Sequence, residues 1–263
     1  MTNSKTLKAV ALGAAVAAAL SSGVASADLT GNAAITNNYI WRGVTQTNDQ
    51  AAVQGGLDWA NNTGFYVGTW VSNVAFGSES GGGYEMDVYG GFAGEAGDFG
   101  YDLGVITYQY PVDPSTNFTE VYVSGSFSVV TIGLNYTVDE GSFNDAEKND
   151  EALGIFESGD LYVYGALDFP TKVGDISLYA GSYMFDQDGK DYSATGGANV
   201  GEIDYVHYGA SLSKGDFTFA VDKNDIDNNS SLSGADINAG TPGDSSFDNV
   251  RFTVRWSKDF ELM

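Results

Sequence analysis

The feature that most constrains this chain is a two-residue alternation that recurs about twelve times from near residue 28 to the end. Period two puts successive side chains on opposite faces of an extended strand. In 128–138, Val130, Ile132, Leu134, Tyr136 and Val138 share one face, and Thr131, Gly133, Asn135 and Thr137 share the other. The same pattern runs through 98–109, 216–223 and 250–258. Noisier versions cover 29–41, 51–59, 64–74, 84–93, 117–127, 160–168, 174–185 and 203–213. One face of each good strand is continuously apolar. A soluble sandwich alternates too, so this pattern alone leaves both architectures open.

The connections separate them. Those at 61–64, 95–98, near 127–128, 170–174 and 214–216 are short. Three lead into the next strand with Gly-Asp and an apolar residue: Gly97-Asp98-Phe99, Gly174-Asp175-Ile176 and Gly215-Asp216-Phe217. Glycine allows the positive φ of a tight hairpin, and aspartate can bond its own backbone. The intervening connections, 42–50, 76–83, 111–116, 139–158, 186–202 and 224–246, are mostly longer, and the last three are rich in Asp, Asn, Ser and Gly. Loops sorted by length onto two rims are the signature of a barrel whose rims face different compartments. The expected fold is all-β, an antiparallel up-and-down transmembrane β-barrel of about 12 strands, with both termini on the short-turn rim.

The N-terminus points the same way. Lys5 and Lys8 precede the apolar run Ala9–Leu20, and Ala25-Ser26-Ala27 forms a small-residue cleavage site. This predicts a signal peptide over 1–27 and a single barrel domain over 28–263. No later run is long and apolar enough for a spanning helix. The absence of cysteine removes a lipoprotein anchor, disulfides and thiolate chemistry. A net charge of −24 argues against nucleic acid as a partner. The 35 Gly and 16 Tyr suit a closed sheet, with glycine relieving crowding inside and tyrosine placed at a membrane–water boundary. The expected location is the outer membrane of a Gram-negative bacterium. Expected partners are outer-membrane lipid and lipopolysaccharide, the barrel insertion machinery, and small hydrophilic solutes or ions.

Catalytic signals are weak. The one histidine, His207, shares a strand face with Ser211 about 13 Å away by strand rise, too far for a nucleophile–base pair. A polar lumen or rim histidine is the better reading, and no enzyme is expected. Asp225, Asp227, Asn229, Ser230 and Asp236 fall at calcium-loop spacing, but the sixth position lacks Gly and the twelfth lacks Glu. Asp186, Asp188 and Asp191 form a second acidic group beside Gly189. Both read first as solvated outer loops, so no cofactor is expected beyond weak Ca2+ or Mg2+ binding there. If apolar faces look outward, the lumen receives Arg42, Gln54, Asp58, Glu85, Asp87, Asp102, Glu120, Tyr122, Asp222, Arg251 and Arg255. Closure should bring Arg251 and Arg255 beside Arg42 and Asn38, with acids elsewhere on the wall. That arrangement predicts a transverse field and mild cation preference, unless Arg–Asp pairs neutralise one another and plug the bore.

Several segments together carry a family resemblance. They are Asn38-Tyr39-Ile40-Trp41-Arg42-Gly43 with Gln46-Thr47, Ala52-Val53-Gln54-Gly55-Gly56-Leu57-Asp58, Gly64-Phe65-Tyr66-Val67-Gly68-Thr69-Trp70, Glu85-Met86-Asp87-Val88-Tyr89-Gly90-Gly91, Gly97–Gly104 and Asn117–Tyr122. With these the chain resembles the TorF porin family, formerly a family of conserved hypothetical bacterial proteins. The resemblance is dense over about 30–125 and implies an outer-membrane barrel with a channel role, without naming a solute. Barrels of this kind often end on an aromatic residue, whereas here Phe260 is followed by Glu261-Leu262-Met263. The expected function is passive diffusion of small hydrophilic solutes or ions. The alternatives are a non-conducting structural or adhesive barrel whose acidic loops bind divalent cations or an external partner, and a secreted soluble β protein.

Overall fold

The computed structural model describes residues 28–75, 83–112, 114–139, 156–186, 188–189, 202–226 and 248–262. The expected leader, Asp191, Asp227, Asn229, Ser230 and Asp236 lie outside them. In chain order the strands are β1 (Asp28–Thr36), β2 (Ile40–Trp41), β3 (Val44–Thr45), β4 (Ala52–Ala60), β5 (Phe65–Val74), β6 (Gly83–Ala96) and β7 (Phe99–Gln109). Then come β8 (Phe118–Phe127), β9 (Val130–Asp139), β10 (Leu161–Pro170), β11 (Asp175–Met184), β12 (Tyr205–Lys214), β13 (Phe217–Asn224) and β14 (Arg251–Glu261). All but β2 and β3 form one closed antiparallel barrel in which each strand pairs with its barrel neighbour in sequence. Closure joins β1 to β14, with Thr30 opposite Glu261 and Thr36 opposite Arg255.

The five short turns and both barrel ends share one rim, as the loop lengths predict. In the β6–β7 and β12–β13 turns, Gly97 and Gly215 take φ of 68° and 61°, the conformation that lets Ala96 pair with Phe99 and Lys214 with Phe217. The third Gly-Asp is built differently. Gly174 ends a four-residue connection, where its carbonyl accepts the Thr171 N–H at 3.1 Å.

Alternation sorts the side chains as expected. Val53, Ile132, Phe219 and Phe252 face out and are exposed, whereas Gln54, Thr137, Ser177 and Asp222 face in and are buried. Tyrosine departs from expectation. Tyr84, Tyr136 and Tyr208 face out, but Tyr66, Tyr89, Tyr108, Tyr162, Tyr179, Tyr183 and Tyr205 are buried in the lumen. The glycines explain how they fit. A Cβ on Gly91 would lie 2.4 Å from the Tyr66 hydroxyl, and one on Gly104 would lie 2.5 Å from that of Tyr122. Inward tyrosines therefore lie flat over bare backbone on a neighbouring strand, and the two abundant residue types work as pairs.

The first strand also departs from the reading. It stops at Thr36 and not near residue 41, because the chain there leaves the wall. Leu103, midway along β7 and facing out, gives a test of the outer face. Leu103→Arg should cost about 2–4 kcal/mol in urea unfolding from lipid vesicles. The inward substitution Ala166→Ser should change stability little in the same assay.

Candidate functional site

Between β1 and β4 the chain does not arch over the rim but turns into the barrel. β2 and β3 pair there, Ile40 with Thr45 and Trp41 with Val44. Arg42 and Gly43 make the two-residue turn, with φ of 46° and 80°. Positive φ at both central positions is the type I′ geometry favoured by strand twist. From Asn38 to Thr47 every residue except Ile40 is buried, and Ile40 is half-buried. The turn sits hard against the wall at β12 and β13. A Cβ on Gly43 would fall 2.3 Å from the Cβ of His207, and the Gly43 carbonyl accepts the Asn224 amide at 2.8 Å.

Short polar residues tie the neck of this hairpin. Asn38 accepts hydroxyl hydrogen bonds from Thr45 (2.6 Å) and Thr47 (3.2 Å) and donates to Asp49 at 2.6 Å. Arg251 on β14 donates to the same Asp49 carboxylate at 2.9 Å, and the Gln46 carbonyl accepts the Ala75 N–H at 2.9 Å. The hairpin is thus stitched to the wall on both sides of its entry.

At its tip, Arg42 forms a bidentate pair with Glu120 on β8, at 2.8 and 2.6 Å. Counted around the sheet order, β8 lies roughly opposite β1, so the contact spans the lumen. Arg42 is 2% exposed and Glu120 1%. Aromatic faces surround the guanidinium, with centroids of Trp41 at 4.3 Å, Tyr162 at 4.1 Å and Tyr183 at 4.9 Å. Such cation–π contacts strengthen when desolvated. Burial works against the arginine's charge, but Glu120 outweighs it and holds the Arg42 pKa well above its ordinary value. Glu120 also accepts from Asn135 (2.9 Å) and Tyr108 (3.3 Å), so its carboxylate is fully engaged. Phe118, Phe156 and Phe185 extend the dry layer towards the long-connection rim.

Most of the other wall carboxylates are held by tyrosines. Asp58 accepts from Tyr89, and from Asn32 at 3.2 Å. Asp102 accepts from Tyr66 at 2.6 Å, and Tyr66 also touches the Tyr122 hydroxyl. Asp222 accepts from Tyr179 at 2.6 Å. Asp58 and Asp102 remain partly exposed to water below the hairpin, nearer the short-turn rim. Glu85 accepts from Tyr39 of the hairpin at 3.1 Å. Asp87, fully buried, finds no donor for either oxygen among the described residues.

The expected neighbourhood of Arg42 is wrong. It does not sit on the β1 wall beside Arg251 and Arg255, because the chain leaves that wall at Thr36 and carries Arg42 across the bore to Glu120. The positive wall is reduced to Arg251, paired with Asp49, and Arg255, opposite Thr36. His207 faces inward, bonded to Tyr162 at 2.8 Å beneath Gly43. Two of the described outer-loop acids serve backbone with their carboxylates, and the third is seen through its own N–H. Asp188 and Asp225 accept N–H groups of Asp204 (3.0 Å) and Val206 (2.6 Å), and the Asp186 N–H donates to Asp160. No group of three metal-ligating acids or histidines occurs among the described residues. The period-two pattern does not reveal the hairpin. Its signal was Arg42-Gly43 between Trp41 and Val44, at the join of the expected strand 29–41 and connection 42–50.

Breaking one partner of the latch leaves a buried charge alone. Glu120→Ala should therefore cost about 3–5 kcal/mol in equilibrium unfolding, whereas Arg42→Met with Glu120→Met should recover most of it. Gly43→Ala should also unseat the hairpin, because it adds both a clash at His207 and strain at positive φ. Tryptophan emission from Trp41 should then shift to longer wavelength as water reaches the ring.

Comparison with curated proteins finds no match. Among solved structures, a KdgM porin superposes with TM-score 0.46 at 9% identity, covering 90% of this chain and 99% of that one. NanC porin gives 0.45 at 12%, covering 90% and 100%. The Salmonella typhi outer membrane phospholipase OMPLA gives 0.38 at 10%, covering 89% and 90%. Likenesses at these scores carry no argument about activity. The model of a family described as "Bacterial protein of unknown function (Gcw_chp)" matches residues 20–240, under that description and not under the TorF designation. The chain belongs to the Gcw_chp family.

Proposed function

We propose that the protein is an outer-membrane channel for small hydrophilic solutes or ions, closed at rest by its own hairpin. The observation that carries this reading is how the lumen is shut. A barrel of eight strands fills itself with wall side chains, and one of sixteen leaves a channel. Here a twelve-strand wall is occluded by a separate segment, tied at its neck and latched at its tip by Arg42–Glu120. Below it, Asp58 and Asp102 remain partly exposed to water. The apolar exterior favours lipid over the secreted soluble alternative, since so many large apolar side chains face out. Acids exceed bases on the inner wall, so mild cation preference follows once the bore opens. The expected surroundings are outer-membrane lipid and lipopolysaccharide, reached through a leader and the insertion machinery.

A permanently plugged barrel is the second reading, favoured by the dry aromatic cage around Arg42. Planar-bilayer recording separates the two. Wild type should show rare, small steps, and a variant with residues 38–49 replaced by a short Gly-Ser linker should show frequent, larger ones. Its reversal potential under a salt gradient should favour cations. A folded linker variant with no steps above background would sink the channel reading and leave the plugged barrel.

A further inference from the structure

The dry layer around the hairpin is out of charge balance. Arg42 is committed to Glu120, which two further donors also satisfy. Glu85 and Asp87 stand nearby on β6, two residues apart and therefore both pointing inward. They are 1% and 0% exposed. Glu85 accepts the Tyr39 hydroxyl with Oε1, but its Oε2 has no partner among the described residues. Both oxygens of Asp87 are likewise without a donor. Each carboxyl group has the other as its close polar neighbour, within hydrogen-bonding reach, and Tyr110 also faces Glu85. Ionised groups sealed from water without a donor or counter-charge are among the most unfavourable arrangements a fold can hold. Other buried acids here, Glu120 and Asp222, have donors, so three unpartnered oxygens at one place point to a ligand.

We propose that Glu85 and Asp87 hold a calcium ion inside the lumen, with the phenol oxygen of Tyr39 above it and Tyr110 beside it. The donor set is all oxygen, which suits a hard cation and not zinc or copper. Two carboxylates match the double charge. Calcium accepts irregular oxygen sets, whereas magnesium keeps several waters and demands an octahedron, which fits this dry layer poorly. Because Tyr39 belongs to the hairpin, the ion ties that segment to β6 as Arg42 ties it to β8. The site stands independently of whether the barrel conducts.

Thermal unfolding of the purified full-length barrel in detergent, first in chelator and then in calcium, tests this. Wild type should gain several degrees with calcium. Asp87→Asn should melt above wild type in chelator, since it removes an unpaired buried charge, and should gain nothing from calcium. Tyrosine-sensitised terbium emission should appear in wild type and be lost in Asp87→Asn and Glu85→Gln. A variant carrying Asp186→Asn, Asp188→Asn and Asp225→Asn should keep the calcium gain, which separates the lumen site from the outer loops. If Asp87→Asn fails to fold, Tyr39→Phe replaces it and should weaken calcium's effect while leaving the fold intact. Equal calcium gains in wild type and Asp87→Asn would place the ion in the loops and overturn the proposal. So would a wild type indifferent to calcium, which would mean that the two acids share protons instead, or a larger gain with magnesium.

Discussion

One buried ion pair organises the interior. Arg42 and Glu120 come from opposite sides of the barrel and meet where neither touches water. Such a pair is weak evidence for stability, because desolvation consumes most of the Coulombic gain. It is strong evidence for position. Once the fold has desolvated Glu120, only a guanidinium in the correct place avoids a large penalty, so the hairpin has one seat. Trp41, Tyr162 and Tyr183 sharpen that seat by stacking on the guanidinium.

The wall is built around this occupant. Inward tyrosines need room, and neighbouring-strand glycines supply it, so the hydroxyls reach acids on other strands. Asp58, Asp102 and Asp222 are each held this way. The composition that first suggested tyrosines facing lipid instead reflects a hydrogen-bonded inner lining. The same residue serves both roles because its ring is apolar and its tip polar. Composition cannot choose between them, but strand parity can. Tyr66 and Tyr89 fall on the face that carries Trp70 and Asp87, opposite Val67 and Val88.

The barrel was legible in the sequence because lipid and lumen impose opposite chemistry on alternate residues over eight or more positions. The two-rim sorting of connections was legible because short turns need glycine at defined places, as at Gly97 and Gly215. The hairpin was not. Asn38, Tyr39 and Trp41 continue the alternation of β1, and the breaks at Asn37 and Ile40 are no larger than those within other noisy strands, so the period does not mark where the chain leaves the wall. The Arg42–Glu120 contact joins residues 78 apart in sequence, and no local pattern encodes such a distance. The inner positions of Glu85, Asp87 and Glu120 followed from parity alone, but their partners did not.

The two ends of the hairpin differ in kind, and that difference bears on how the lumen could open. Its neck is held by short neutral and rim-side polar contacts, Asn38 with Thr45 and Thr47, and Asp49 with Arg251. Asp49 is exposed, so water can replace its pairing with Arg251 at modest cost, whereas the Asn38 contacts are buried. Its tip is held by an ion pair, three aromatic faces and a bare glycine against His207, none of which water can replace without first entering the dry layer. Loosening the neck alone therefore leaves the lumen shut. In the proposed channel, opening requires hydration of Glu120 and of Glu85 and Asp87 on β6. There the wall's excess negative charge would favour an open, hydrated lumen, and Arg42 would oppose it.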